Sequence, residues 1–255
     1  MNILLISGHG AGDAGAAANI DGTLYKEAEE TRRVTAALQP LLTQYADVDI
    51  YPTDRNAFSD SCNGALTSVM NIPSYDYVLE VHFNAFQAQS ADWQTKGVEC
   101  YVPTAETGTT VENLICEKVA DVGLKNRGVK RYNWSVIYNV KTRGVSAALL
   151  EVCFIDDPDD MRVYLQNFDD IVSAIAAGIV EGFGLGSFKM DFAEEETEDD
   201  DMTIYEKLED VPDWGQATVN KLLTKKYLVG EENALNLEKN MLRVLVINDR
   251  AGLYD

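Results

Sequence analysis

Only two histidines occur in the 255 residues, His9 and His82, and each stands where an apolar run stops. His9 follows Asn2-Ile3-Leu4-Leu5-Ile6-Ser7-Gly8, and His82 follows Tyr77-Val78-Leu79-Glu80-Val81. Short aliphatic runs of this kind read as buried strands. Open α/β sheets bind ligands in the crevice at the carboxyl ends of their strands. Imidazole is the commonest protein ligand for zinc, so two of them placed this way form a candidate metal site. The competing reading is a pair of satisfied core or surface histidines.

Two carboxylates join them. In the helical stretch expected over 24–45, Thr31, Val34, Leu38 and Leu41 share one face, and the same three- and four-residue steps taken backwards reach Glu27. Glu29 and Glu30 are expected to point elsewhere. A carboxylate on a buried stripe needs a cation beside it, either an arginine or a metal. Two histidines and one glutamate make a zinc set that leaves a fourth position for water. Glu151 ends the apolar run Ala147-Ala148-Leu149-Leu150. If that strand neighbours the one carrying His82, Glu151 reaches the same crevice and can move a proton from water to a leaving nitrogen. Taken alone it is weak, because acids at strand ends are common.

The elements that must position these groups alternate in type. Strands are expected near 2–7, 47–51, 76–83, 97–102, 134–139 and 146–152, and helices near 24–45, 59–70, 109–126 and 168–184. That order predicts an α/β fold: a mixed, mostly parallel central sheet with helices on both faces. Residues 187–203 hold eight acidic groups and no apolar pattern, and read as a self-repelling linker. Beyond it, 204–255 is expected to form a small helical domain, with helices near 214–228 and 237–249.

Composition narrows the function classes. Hydrophobic residues make up 46%, enough for a sizeable core. A net charge of −21 argues against nucleic acid as a partner and against non-specific adhesion to an anionic membrane or wall. Cys62, Cys100, Cys116 and Cys153 lack the CxxC spacing of a thiolate zinc site and fit a reducing compartment. The N-terminal run has no basic flank and reads as a first strand rather than a signal peptide. No segment approaches the roughly 20 apolar residues of a membrane span.

Several segments then fall into one pattern: Ser7-Gly8-His9-Gly10 with Gly12-Asp13-Ala14-Gly15-Ala16, then Lys26-Glu27-Ala28, Val81-His82-Phe83-Asn84-Ala85, and Leu150-Glu151-Val152-Cys153-Phe154-Ile155 with Asp159-Asp160. In order and interval, residues 1–186 resemble the zinc-dependent N-acetylmuramoyl-L-alanine amidases, the catalytic domain of many bacterial autolysins and phage endolysins. The resemblance implies a zinc amidase/carboxypeptidase-like fold, Zn2+ held by His9, Glu27 and His82, Glu151 as the catalytic acid–base, and Asn84 at the site. It implies bacterial peptidoglycan as substrate, cut at the amide between the lactyl group of N-acetylmuramic acid and L-alanine. Three departures stand out. Ile6-Ser7 replaces a usual Asp-Pro, so a carboxylate is missing there, and Cys153 replaces a glycine. Glu80 replaces a serine on the His82 face of its strand, where it either orients a ligand or competes for the metal.

Lacking a signal peptide, the chain fits by analogy an endolysin made in the cytoplasm and released to the wall by a holin. A wall-binding protein without turnover is one alternative. A zinc carboxypeptidase is another; it needs an arginine for a terminal carboxylate, and neither Arg127 nor Arg143 is marked out. Residues 204–255 faintly resemble one S-layer-homology-type module, which implies attachment to secondary wall polymers; docking and self-association are the other readings. Trp214 there is either a sugar-stacking aromatic or a core anchor.

Overall fold

The aliphatic runs that end at the histidines become the centre of a six-stranded sheet. The computed structural model describes residues 1–86, 91, 94–188, 204–228, 235, 237–238, 241–242 and 245. The chain divides into two compact units, Met1–Met190 and Asp191–Asp255.

In chain order the first unit contains β1 (Asn2–Ser7), the hairpin strands β2 (Ala17–Ile20) and β3 (Thr23–Lys26), α1 (Glu27–Leu42), β4 (Asp47–Ile50), α2 (Ala57–Cys62), α3 (Leu66–Val69) and β5 (Tyr77–Asn84). There follow β6 (Val98–Val102), α4 (Thr110–Asp121), β7 (Asn126–Arg131), α5 (Ser135–Lys141), β8 (Ser146–Phe154), α6 (Pro158–Gln166) and α7 (Phe168–Gly182). The sheet order is β4-β1-β5-β8-β6-β7. All neighbours are parallel except β6, which runs against β8. This is the mixed, mostly parallel sheet expected from the sequence. With β4 on one side of β1 and β5 on the other, the strand order reverses there, which opens a crevice at the carboxyl ends.

Alternation along each strand feeds two cores. Ile3, Leu5, Leu79, Val81 and Leu150 pack with Val34, Leu38 and Leu42 of α1, with Ile115 and Val119 of α4 and with Ile175 and Ile179 of α7. Leu4, Ile6, Val78 and Leu149 face the other way, toward Ala57 of α2, Leu66 of α3 and Val136, Ile137 and Val140 of α5.

Some expectations need correction. Residues 134–139, expected as a strand, lie largely in α5. Val136, Ile137 and Val140 put one buried stripe on the sheet, and that burial outweighs the β preference of Val-Ile-Tyr-Asn-Val. The strand of that region is β7, a half-buried edge whose Asn-Arg-Gly-Val-Lys-Arg composition hides it. The helix expected over 59–70 is split into α2 and α3, with Gly64 at φ +73 between them. The helix expected from 24 starts at Glu27, because Thr23–Lys26 pairs with Ala17–Ile20 across a two-residue turn. Helix α6 was not expected; Asp157 caps it by accepting from the Asp159 and Asp160 N–H groups, with Pro158 in its first turn. On α1, Leu42 rather than Leu41 is fully buried, and Glu30 is buried too, with Tyr164 donating to it at 2.9 Å.

The second unit contains β9 (Ile204–Tyr205), α8 (Asp213–Thr224) and β10 (Leu237–Glu238), with β9 and β10 antiparallel. Tyr205, Val211, Val219, Leu235, Leu237 and Leu242 form its core. The helix expected from 237 is thus a strand at its first two residues, because Leu237 pairs with Tyr205. The acidic stretch, apart from Ser187 and Phe188, and the side chain of Trp214 lie outside the described residues. Among the described residues no single helix is long and apolar enough to cross a membrane.

Candidate metal centre

The chain leaves β1 through Gly8, whose N–H still bonds the Val81 carbonyl at 2.8 Å, and then turns sharply. His9 at φ +64, Gly10 at φ +116 and Ala11 at φ +45 all lie in the left-handed region. For residues other than glycine this costs on the order of 1–3 kcal/mol and is tolerated only where the surroundings impose it. The reward is a loop that returns Asp13 to the ring it has just left, with His9 Nδ1 2.9 Å from Asp13 Oδ2. An ionised carboxylate only accepts, so Nδ1 carries the proton and Nε2, turned toward Glu27, is the nitrogen placed to act as a ligand. Asn56 donates to the same Asp13 oxygen at 3.2 Å and holds it in place. The carboxylate absent before the Gly-His pair is therefore supplied from four residues after the histidine.

Glu27 is the first residue of α1, where a negative side chain is favoured by the helix dipole. One oxygen accepts from the Ala16 N–H at 2.9 Å and faces His9 Nε2 at 3.0 Å. The other accepts from the Phe83 N–H at 3.0 Å and faces His82 Nδ1 at 2.9 Å. His9, Glu27 and His82 each bring one donor atom within 4.8 Å of the others, and the two rings meet edge-on at 5.0 Å. Among the described residues the partners of Glu27 are the two imidazoles and two backbone N–H groups, and not an arginine.

His82 sits on β5, two residues after Glu80 and on the same face. Glu80 Oε1 lies 3.1 Å from His82 Nε2, yet among the described residues no aligned hydrogen bond reaches that buried nitrogen. Glu151 on β8 is the register partner of His82 on one side and of Glu99 on the other. Its Oε2 is also buried, with no hydrogen-bond partner among the described residues. Asn84 points toward Glu99 rather than the imidazoles, donating to Glu99 Oε1 at 3.0 Å. Glu99 is buried and also receives Arg127 Nε at 2.5 Å, Tyr101 Oη at 2.9 Å and Lys130.

Two glycines make room for the rings. A Cβ on Gly8 would fall 2.5 Å from His82 Cε1, and one on Gly15 would fall 2.6 Å from His9 Cδ2 and 2.7 Å from Glu27 Oε2.

The electrostatics follow from this crowding. Burial alone would raise the Glu27 carboxyl, but hydrogen bonds from His82 and His9 outweigh it and hold the group well below the carboxylate range. The His9 ring is raised by its bond to Glu27 against the effect of burial. For His82, burial acts to lower the ring, and the Glu80 charge together with the Glu27 bond more than reverses it. Glu151 is pushed up to about 7 by burial, against the pull of His82 and with the help of Glu27, Glu99 and Glu80. Near neutrality Glu151 can thus take a proton in its ionised form and give one in its protonated form.

These groups open into a cavity of about 390 Å³. Asp13, Glu27, Glu80 and Glu151 line it with both histidines, and no lysine or arginine does so among the described residues. Nitrogen and oxygen donors, unpartnered buried polar atoms and a surplus of carboxylates fit a divalent cation such as zinc. Reasoning from the sequence passed over Asp13, Asn56, Glu99 and Trp134 as members of this site. Asp13 carried a signal, a carboxylate four residues after His9 in a glycine-rich loop. Glu99 carried little, since one acid in an apolar strand reads as solvated.

Comparison with known proteins bears on this geometry. A family model described as N-acetylmuramoyl-L-alanine amidase matches residues 3–181. The chain is 28% identical over 189 residues to the endolysin of Bacillus phage SPP1, covering 71% of this chain and 64% of that protein. It is 26% identical over 179 residues to an uncharacterized protein of Clostridium perfringens, covering 69% of this chain and 50% of that protein. It therefore spans between half and two-thirds of the length of these curated relatives. Among solved structures, the catalytic domain of CwlV, an N-acetylmuramoyl-L-alanine amidase from Bacillus (Paenibacillus) polymyxa var. colistinus, superposes with a TM-score of 0.58 at 21% identity, over 72% of this chain and 99% of that one. The catalytic domain of the CD27L endolysin targeting Clostridia difficile gives 0.56 at 22% identity, over 71% and 97%. At these identities the structural likeness speaks for the fold.

Proposed function

Because the chain belongs to the N-acetylmuramoyl-L-alanine amidase family, we propose that it hydrolyses peptidoglycan at the amide joining the lactyl group of N-acetylmuramic acid to L-alanine. One observation carries the reading: Glu151, with a buried unpartnered oxygen, stands one strand from His82 in the cavity that gathers His9, Glu27 and His82. Those three would hold Zn2+, which when bound polarises the amide carbonyl and makes water more acidic. Asp13 fixes the His9 ring so that Nε2 faces inward, and Glu80, 3.1 Å from His82 Nε2, places a negative charge behind the other ring. Glu80 is thus read as an orienting group rather than a competitor for the metal. Glu151 takes a proton from the attacking water and gives it to the departing L-alanine nitrogen. Asn84, held by Glu99, lines the cavity together with Glu151.

Residues 1–186 are read as the catalytic domain, 187–203 as an acidic linker and 204–255 as a domain for wall binding or self-association. The protein is read as a phage or prophage endolysin that reaches the cell wall after release through a holin. The carboxypeptidase alternative needs a cation in the cavity for a terminal carboxylate, and Arg127 is instead engaged by Glu99 and stacked 4.9 Å from the Phe154 ring. The test is digestion of purified peptidoglycan with and without a chelator, followed by mass spectrometry. Free stem peptides beginning with L-alanine, lost on chelation and restored by zinc, are expected. Cut glycan strands or cut cross-links would overturn the assignment.

A further inference from the structure

The cavity lining is of two kinds. Beside the carboxylates and imidazoles it carries Trp134 and Phe58, which are 42% and 56% exposed. Tyr132 and Tyr138 extend the same surface and are also exposed. The Tyr132 ring lies 4.7 Å from that of Trp134, and Tyr138 stands one helical turn further on, its N–H bonded to the Trp134 carbonyl at 2.9 Å. Helix α2, which bears Phe58, is tied to the start of α5 through the Ser61 and Ser135 hydroxyls at 3.0 Å. Exposed aromatics gathered at one edge of a cleft mark a binding surface rather than scattered surface residues.

Trp134 is also packed against neighbouring rings. Its ring meets Tyr101 edge-on at 5.9 Å, and the Tyr101 hydroxyl donates to Glu99, which Arg127 clamps. The backbone N–H of Trp134 bonds back to the Tyr132 carbonyl at 3.1 Å and fixes the turn that presents the ring. A platform fixed in this way loses little side-chain entropy when a ligand settles on it.

We propose that this surface is the subsite for the sugar side of the substrate, an N-acetylhexosamine ring lying on Trp134 with Tyr132 and Phe58 beside it. The inference rests on the amidase reading, in which the scissile amide hangs from such a ring. The chemistry matches: a pyranose face is a patch of C–H groups that packs on an aromatic ring while its hydroxyls stay in water. The ring is also neutral. A cavity lined by Asp13, Glu27, Glu80 and Glu151 repels an acidic group and leaves an uncharged one indifferent. The sugar then becomes a specificity determinant, and a peptide amide without one is a poor substrate.

The test separates this subsite from the reaction. Oligomers of N-acetylglucosamine, which lack the lactyl–alanine amide, are titrated calorimetrically into the zinc-loaded full chain, into Trp134→Ala and into Trp134→Phe, each first checked for fold by circular dichroism. The unaltered chain binds. Trp134→Ala weakens binding about tenfold or more and raises KM for peptidoglycan fragments by a similar factor, the loss falling on KM rather than kcat, while Trp134→Phe keeps most of the affinity. Oligomer binding that depends on Trp134, with no L-alanine-terminated peptide released, keeps the subsite and sinks the amidase reading. Normal peptide release with no oligomer binding, or equal binding by the alanine variant, overturns the subsite alone. A change in oligomeric state in Trp134→Ala with sugar binding intact also overturns it, and marks the aromatics as a protein contact.

Discussion

The face of the sheet covered by α1, α4 and α7 is overlaid by helices of 16, 12 and 15 residues, whereas α2, α3 and α5 on the other face have 6, 4 and 7. Long helices seal their side into one dry core that includes Leu38, Ile115 and Ile175. Short ones leave the carboxyl ends of β5 and β8 uncovered, and there the alternation that sends Leu79 and Val81 to the sealed side turns Glu80 and His82 to the open one. The difference teaches that the second face does two jobs, packing Leu4, Ile6 and Val78 into a core of its own and leaving Glu80 and His82 to the crevice at the strand ends. One side is filled along its whole length, and the other is filled only below the carboxyl ends of the strands.

Variants on each side should therefore fail in different ways. The largest effect is expected from Glu151→Gln on the open side, a loss of about 10²–10⁴ in turnover with zinc still bound. Metal analysis alongside peptide release checks it, and turnover near that of the unaltered chain would remove Glu151 from the mechanism. On the sealed side, Leu38→Ala should cost about 2–5 kcal/mol of stability in a denaturant melt while activity per folded molecule stays unchanged. A variant that loses activity without losing stability would erase the distinction between the faces.

A smaller effect is expected behind the ligands. Asp13→Ala should weaken zinc about 10–100-fold in a chelator competition, since His9 then lacks the carboxylate that fixes its Nδ1 proton. Unchanged affinity would show that the loop alone orients the ring. Gly8→Ala should weaken zinc by a comparable amount for a steric reason, the new methyl colliding with His82. If the variant retains full zinc affinity, the ring has room that the structure does not show.

The smallest is a pH effect. Burial raises the Glu99 carboxyl, but Lys130, Arg127 and Tyr101 overcome it and leave the group below its ordinary value. A carboxylate lowered on folding adds stability above its unfolded pKa and loses it as pH falls through the folded one. The chain should therefore weaken on the acid side of the ordinary carboxylate range. Glu99→Gln should flatten that limb of the melt profile; an unaltered limb would assign acid sensitivity elsewhere.

How much of this the sequence discloses depends on the kind of signal. Strands β1, β5 and β8 are legible because buried parallel strands are continuous aliphatic runs, and the residues that break them, His9, His82 and Glu151, are conspicuous for that reason. Glu27 is legible as the extension of a helical stripe. Helix α5 is not, because Val136, Ile137 and Val140 favour strands locally and only the sheet beneath them decides otherwise. Edge strand β7 lacks a hydrophobic run altogether. Glu30 reads as pointing away from that stripe, and its burial is not legible because the partner that satisfies it, Tyr164, is 134 residues away. The pairing of Asp13 with His9 depends on three successive left-handed residues, which composition hints at only through the glycines.

The hairpin that precedes Glu27 has a practical consequence. Its two-residue turn, Asp21 at φ +50 and Gly22 at φ +84, is a self-contained reversal that projects away from its own ladder. A fluorophore or affinity tag spliced between those two residues should be carried without penalty. One additional residue near Tyr25 would instead slip the strand pairing and drag the helix entrance, with its carboxylate, out of reach of both imidazoles.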